Sequence, residues 1–492
     1  MPFCRRPSRS LIVRRFLLPQ FSKRLAPRSF TQAQPPLEFI APDLDLNVVN
    51  LVQCALPLWM RLKTPLTRIE AENVEQLAHL YQQFQSGKVR LLLAFRHPSV
   101  HDPICVGYLL HYLMPKVARQ QGIRLKAPTH AHFMYDRGIP LWAGSLSGWL
   151  YSKLGGTPIH RGKLDRVGLR SARDLFANGA FPLLAAPEGA TNGHNETVSP
   201  LEPGIAQLGF WCVEDLIKGG RSEKVLIVPI GIQYRYVTPP WKALEKLLSD
   251  LEADSGLSDG MNDESGRTRE GHLYHRLYQL AEHLLTVMEE FYTRFYHQPL
   301  PTTAAKSSEI EGVSPGSNAE FAVRLEALLN VALQVAEQYF NLQPKGSVID
   351  RCRKLEQAGW DYVFREDLHL ETLSLLGRGL ADRVAEEANL RIWHMRLVES
   401  FVAVTGKYVL EKPSAERFAE TTLLMWDVIT KIKGGNALNR PKLGKQCGYV
   451  TIGQPISVSD RWDTYHSNRR AGKQAVSDLT QDLQTALERM IF

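Results

Sequence analysis

Leu91-Leu92-Leu93-Ala94-Phe95-Arg96-His97-Pro98-Ser99-Val100-His101-Asp102-Pro103 joins an apolar run to a helix start, with a histidine and an aspartate between them. Val89 to Phe95 is short, rich in apolar residues and stopped by His97-Pro98, as a buried strand would be. Asp102-Pro103 then opens a helix over the following apolar residues, with Asp102 as N-cap and Pro103 at the first helical position, where a missing N–H does no harm. His97 and Asp102 therefore bracket one strand-to-helix loop. Open α/β sheets gather their chemistry in such loops, because side chains and helix N-termini converge at the ends of parallel strands.

On both sides of this stretch, strand and helix patterns alternate. Leu44 to Leu62 reads as an apolar-rich helix that either packs on a domain or dips into a bilayer surface. A strand at Leu66 to Ala71 and a helix at Val74 to Gln85 follow. Beyond the central loop come a strand near His132 to Tyr135, a helix from Trp142 to Leu154, a helix from Asp165 to Asn178, a strand at Phe181 to Ala186, a helix from Ile205 to Leu216 and a strand at Lys224 to Ile232. This alternation predicts an α/β fold with a mixed sheet flanked by helices. From Trp241 the pattern becomes helical, with His272 to Gln298, Glu320 to Leu342, Leu380 to Leu410 and Glu416 to Lys433 as helices. Asp254 to Gly271 reads as a loop and Pro299 to Asn318 as a low-complexity linker. Strand character returns at Tyr449 to Ile456, and a helix covers Asn468 to Met490. The expected organisation is a basic tail (1–37), the first part of an α/β domain (38–243), a helical insertion with linkers of about 200 residues (244–440), long enough to be a domain of its own, and the closing strand and helix of the α/β domain (441–492).

The 492 residues carry a net charge of +8, with 44% apolar and 22% charged residues, a globular composition. Arg5, Arg6, Arg9, Arg14, Arg15, Lys23, Arg24 and Arg28 lie in the first 37 residues, which contain no acid, so the positive charge belongs to the tail. Because no aromatic-interleaved basic face accompanies it, a nucleic-acid partner is not expected. The tail mixes these cations with Leu11, Ile12, Val13, Phe16, Leu17, Leu18 and Phe21, which suits a membrane-surface segment, an organelle transit peptide or a plain disordered tail. No apolar run approaches the roughly 18 to 20 residues of a membrane span. Six scattered cysteines without a CxxC pair indicate reduced thiols rather than a disulfide framework or zinc site.

Four features occupy successive α/β junctions: His97 with Asp102; Gly156 with Arg161; Pro187-Glu188-Gly189-Ala190-Thr191; and Val228-Pro229-Ile230. In order and context they resemble the glycerolipid acyltransferase family of the lysophosphatidate acyltransferase type, over about Leu66 to Tyr236 and Tyr449 to Phe492. The resemblance implies a peripheral enzyme on the cytoplasmic side of a membrane. It would move a fatty acyl group from an acyl carrier protein or coenzyme A thioester to a lysophospholipid-like acceptor, with no bound cofactor. A histidine suits such a step because its pKa lies near neutrality, and a carboxylate on its second ring nitrogen fixes the tautomer and stabilises the imidazolium. His97 is thus the expected general base and Asp102 its orienter, with the acceptor hydroxyl itself as nucleophile. The resemblance makes Arg161 the ligand of an acceptor phosphate, its guanidinium fork matching that group, and Gly156 the point of close backbone approach. It likewise places Glu188, Gly189 and Thr191 against the acceptor, and Val228, Pro229 and Ile230 along an acyl pocket.

Ala190-Thr191-Asn192 stands where many members of that family have Thr-Arg-Ser, and Glu202-Pro203-Gly204 where a lysine is frequent. Two phosphate-holding cations are thereby missing, which keeps an unphosphorylated acceptor open beside 1-acyl-glycerol 3-phosphate. A non-catalytic lipid-binding protein at a membrane surface is the reading from a different class. Gly312-Val313-Ser314-Pro315-Gly316 matches a serine-hydrolase pattern but has no strand before it, and the scattered histidines complete no metal-ligand set.

Overall fold

The helix α1 (Leu46–Lys63) leads into strand β1 (Leu66–Glu72), helix α2 (Val74–Gln85) and strand β2 (Val89–Phe95). After the His97 loop come α3 (Asp102–Tyr108), a π-helical turn over Leu109–Leu113, α4 (Met114–Gln120) and β3 (His132–Asp136). Then follow α5 (Ile139–Ala143), α6 (Ser145–Lys153), β4 (Gly156–Ile159), α7 (Arg166–Asn178), β5 (Leu183–Ala185), α8 (Gly204–Lys218) and β6 (Lys224–Tyr236). The helical stretch comprises α9 (Trp241–Asp254), α10 (Arg269–Tyr296), α11 (Asn318–Tyr339), α12 (Val348–Val363), α13 (Leu375–Phe401), α14 (Tyr408–Glu411) and α15 (Ala415–Ile432). The chain closes with β7 (Gln446–Ile452), β8 (Ile456–Ser457), α16 (Trp462–Ser467) and α17 (Arg469–Glu488). This computed structural model describes residues 32–160, 165–257, 268–300, 318–401, 407–437 and 439–492.

The sheet is mixed, in the order β1-β7-β6-β2-β5-β3-β4, with β8 alongside β6. β6, β2, β5, β3 and β4 run parallel, which brings the loops after them to one edge of the sheet. β7 enters between β1 and β6, parallel to the first and antiparallel to the second. The strand that follows the helical stretch is therefore built into the interior of the sheet. β2 is buried along its whole length, as a central strand covered on both faces must be. Leu91, Leu93, Phe95, Val228, Ile230 and Ile232 join the core under α2, α3 and α4, whereas Leu92, Ala94, Val225 and Ile227 join the core under α7, α8 and α17. A third core lies among the helices α9 to α15.

Three differences from the sequence reading have local causes. The helix expected from Trp142 to Leu154 is two helices, because Gly144 takes a φ of 91°, a left-handed value that ends α5. The helix α12 was not anticipated, and its signal is the capping box in which Ser347 and Asp350 satisfy each other's backbone N–H. Residues 32–37, assigned to the tail, are tied to the helical stretch: Ala33 N donates to Asp382 at 2.9 Å, Gln34 N to Val363 O at 2.8 Å, and Arg365 N to Gln34 O at 3.0 Å. The basic part of the tail, and the Gly312 to Gly316 motif, lie outside the described residues.

No helix among the described residues is long and apolar enough to cross a membrane. α1 nevertheless turns an apolar stripe outward. Leu51, Leu58, Trp59 and Leu62 are 69%, 62%, 56% and 66% exposed, and Cys54 and Ala55 between them are exposed too. These positions share one helical face, and Arg61 and Lys63 stand in the last turn.

Candidate active site

β2 ends because Pro98 lacks the N–H that would continue the ladder. Arg96 N still donates to Ile230 O of β6 at 2.9 Å, and the chain then turns away over His97 to His101. The Asp102 side chain does not cap α3; the helix starts one residue earlier than expected, with His101 in the cap position. Its carboxylate folds back into the loop instead. Oδ2 accepts from Ser99 N at 2.9 Å and lies 2.8 Å from His97 Nδ1, while Oδ1 accepts from the Tyr234 hydroxyl. Asp102 is completely buried, and three donors compensate the removal of its carboxylate from water. Burial, and next the adjacent Asp102, hold the Tyr234 hydroxyl well above its ordinary pKa, so it remains a donor.

With Nδ1–H given to Asp102, the His97 tautomer presents the Nε2 lone pair away from the carboxylate. The side chain is 21% exposed, so solvent or a substrate can reach it. Thr191 Oγ1 lies 3.1 Å from Nε2, and the Phe95 ring meets the imidazole edge-on at 5.6 Å between centroids. Thr191 thus sits at the outward ring nitrogen of His97.

Glu188 is turned inward rather than toward the surface. It is buried at 3% exposure, where it cannot meet an acceptor hydroxyl. Oε1 accepts from His97 N at 2.7 Å, and Oε2 accepts from Asn192 Nδ2 at 2.8 Å and Ser199 N at 2.9 Å. Burial raises its pKa, and the His97 N–H is the chief opposing influence. Glu188 thus fixes the backbone of His97 and ties it to the loop carrying Thr191. Gly189 likewise offers no amide to an acceptor, since its N–H closes a turn onto Ala186 O at 3.2 Å. Its φ is 72°, and a Cβ there would meet Glu202 Oε1 at 1.8 Å, so glycine is required.

The other expected residues that the structure describes lie within the strands of the sheet. Gly156 pairs with Phe133 in the β3–β4 ladder. Phe133 in turn aligns with Leu184, and Leu184 with Leu93, which places Gly156 three strands away from β2 and at a level before its end. A Cβ at Gly156 would meet the Phe133 ring at 2.6 Å, so its smallness serves packing. Val228, Pro229 and Ile230 pair with Leu93, Ala94 and Phe95 in the middle of the sheet. All three are buried in the sheet, and their apolar character is that of a central strand. Arg161 lies outside the described residues.

Two contributors were missed. Tyr234 gave no signal, being one aromatic in a strand. Arg96 did give one, as a cation directly following a buried strand: its fully buried guanidinium donates from Nη1 to Asn195 O at 2.6 Å and from Nη2 to Thr197 O at 2.9 Å and His194 O at 3.2 Å. The helical stretch holds the same loop from its other side, through Asn195 Nδ2 to Glu420 at 2.5 Å, Glu196 to Arg417 at 2.7 Å, and Glu202 to Arg353 at 2.5 Å.

Among the described residues no group of three His, Cys, Asp or Glu side chains converges to hold a metal ion. In comparisons with known proteins, no protein-family model, curated protein or solved structure matches this chain.

Proposed function

We propose that this chain is a peripheral-membrane O-acyltransferase that moves a fatty acyl group from an acyl carrier protein or coenzyme A thioester to a hydroxyl of a glycerolipid acceptor. The observation that carries the reading is the buried Asp102 on His97 Nδ1, which leaves Nε2 facing outward. In the reaction the acceptor oxygen attacks the thioester carbonyl carbon while Nε2 takes the hydroxyl proton. The resulting imidazolium is stabilised by Asp102, the C–S bond breaks, and the proton passes to the departing thiolate. No covalent acyl-enzyme is required.

A lysophosphatidate-like acceptor follows from the sequence resemblance. An unphosphorylated acceptor is favoured by one specific observation: Glu202, where that family often has a lysine, puts a carboxylate beside Gly189 and is ion-paired with Arg353. Assaying thioester donors against a panel of phosphorylated and neutral acceptors decides between them. Acylated product is expected with at least one pair, and none with any pair would favour the lipid-binding reading instead.

Membrane attachment is supported by the outward apolar stripe of α1, with Arg61 and Lys63 beside it to meet anionic headgroups. Replacing Leu58 and Trp59 together by glutamate is expected to weaken binding to anionic vesicles at least about ten-fold, since burying each side chain contributes roughly 1.5–3 kcal/mol. Unchanged sedimentation with vesicles would remove α1 from the interface.

A further inference from the structure

Resting on the acyltransferase reading, we infer that Thr191 occupies the acceptor's seat on His97 and thereby restrains hydrolysis of the thioester donor until an acceptor arrives. Nδ1 is committed to Asp102, so Nε2 is the ring nitrogen available for chemistry, and the Thr191 hydroxyl lies 3.1 Å from it. With the tautomer set by Asp102, that hydroxyl donates to the Nε2 lone pair. An acceptor oxygen must come within about the same distance to surrender its proton. Two oxygens cannot both lie along one lone pair, so acceptor binding displaces Thr191.

Displacement is feasible because Thr191 is exposed, whereas the residues around it are anchored. Asn192 N donates to His97 O at 3.2 Å, its side chain holds Glu188 and Thr197 O, and Gly189 N donates to Ala186 O at 3.2 Å. The threonine side chain can thus rotate while its backbone keeps its place. Without an acceptor, a water on Nε2 would do what the acceptor does: its oxygen bonds to the carbonyl carbon, His97 carries its proton to the thiolate, and a free fatty acid and a thiol result. The Thr191 hydroxyl competes with that water. An acceptor held by further contacts outcompetes both.

The test compares wild type, Thr191→Ala and Thr191→Ser on a long-chain acyl coenzyme A presented with anionic phospholipid vesicles. Thiol release is measured without acceptor, and acylated product with the acceptor that works for wild type. The ratio of hydrolysis to transfer is expected to rise about ten-fold in Thr191→Ala, the scale set by one ordinary hydrogen bond, and to return to within about two-fold of wild type in Thr191→Ser, which restores the hydroxyl. If wild type forms product and Thr191→Ala keeps the wild-type ratio, the inference is wrong while the acyltransferase reading stands. Loss of both hydrolysis and transfer in Thr191→Ala, or an acyl group on Thr191 in intact wild-type protein found by mass spectrometry, also overturns it, the latter making Thr191 a nucleophile. If wild type forms no product from any donor and acceptor pair, the reading falls and takes the inference with it.

Discussion

His97→Ala is expected to lower the rate of acyl transfer by about 10³–10⁴-fold, the contribution of a positioned general base supported by a carboxylate. The loss should appear in kcat with little change in KM, because the imidazole acts on the proton in flight rather than on the bound donor. Folding should survive. The His97 side chain is partly exposed, and its hydrogen bonds to Glu188 and Asn192 run through its backbone N–H and C=O, which alanine keeps. The removed ring leaves Asp102 with Ser99 N and Tyr234 as donors, so the buried carboxylate is not stranded. A well-folded His97→Ala protein transferring acyl groups at the wild-type rate would exclude His97 as the base.

Arg96→Met is expected to cost about 3–5 kcal/mol of stability, the range for removing one partner from a buried charged network. Methionine fills most of the volume but donates nothing, so the carbonyls of His194, Asn195 and Thr197 lose their guanidinium. Burial already pulls the Arg96 pKa down, opposed by Glu188 and then Asp102, which marks this cation as one held in place by its surroundings. Its loss should loosen the loop that presents Thr191 and Asn192, lowering transfer activity together with stability. Arg96→Lys, with a single nitrogen in place of the fork, should recover part of the loss. Thermal and urea unfolding measure the effect, and a change below about 1 kcal/mol would show that the loop carbonyls find other donors.

The α/β character was legible because the apolar run of β2 ends sharply at His97-Pro98, and that of β6 marks a central strand, although β6 continues beyond the expected Ile232 to Tyr236. The boundaries of α2 and β2 match the sequence reading, since both are bounded by turn-forming residues. The same logic is ambiguous where one residue type serves two ends. Val228-Pro229-Ile230 is apolar because both faces of β6 are covered, and nothing in the run itself distinguishes a core strand from a pocket wall. Gly156 could be seen as needing to be small, but whether a ligand or Phe133 needed the space required the fold. Asp102 looked like an N-cap because Asp-Pro commonly starts helices, whereas in the structure its carboxylate leaves the helix uncapped and takes Ser99 N and His97 Nδ1 instead, the latter as the family resemblance implied. Tyr234 lies 132 positions along the chain from Asp102, and pairing of that kind is invisible to local pattern. The insertion of β7 between β1 and β6 depends likewise on a long-range return, although its strand and closing helix were individually readable.

We propose that His97 acts as a base because Asp102 holds it in one tautomer. Asp102→Asn tests this most directly, for it keeps the shape of the side chain while replacing an acceptor by an amide that cannot stabilise an imidazolium. The measurement is the initial rate of acyl transfer by the folded variant, under donor and acceptor saturation, relative to wild type. A fall of a hundred-fold or more is predicted; a rate within about two-fold of wild type would contradict the account.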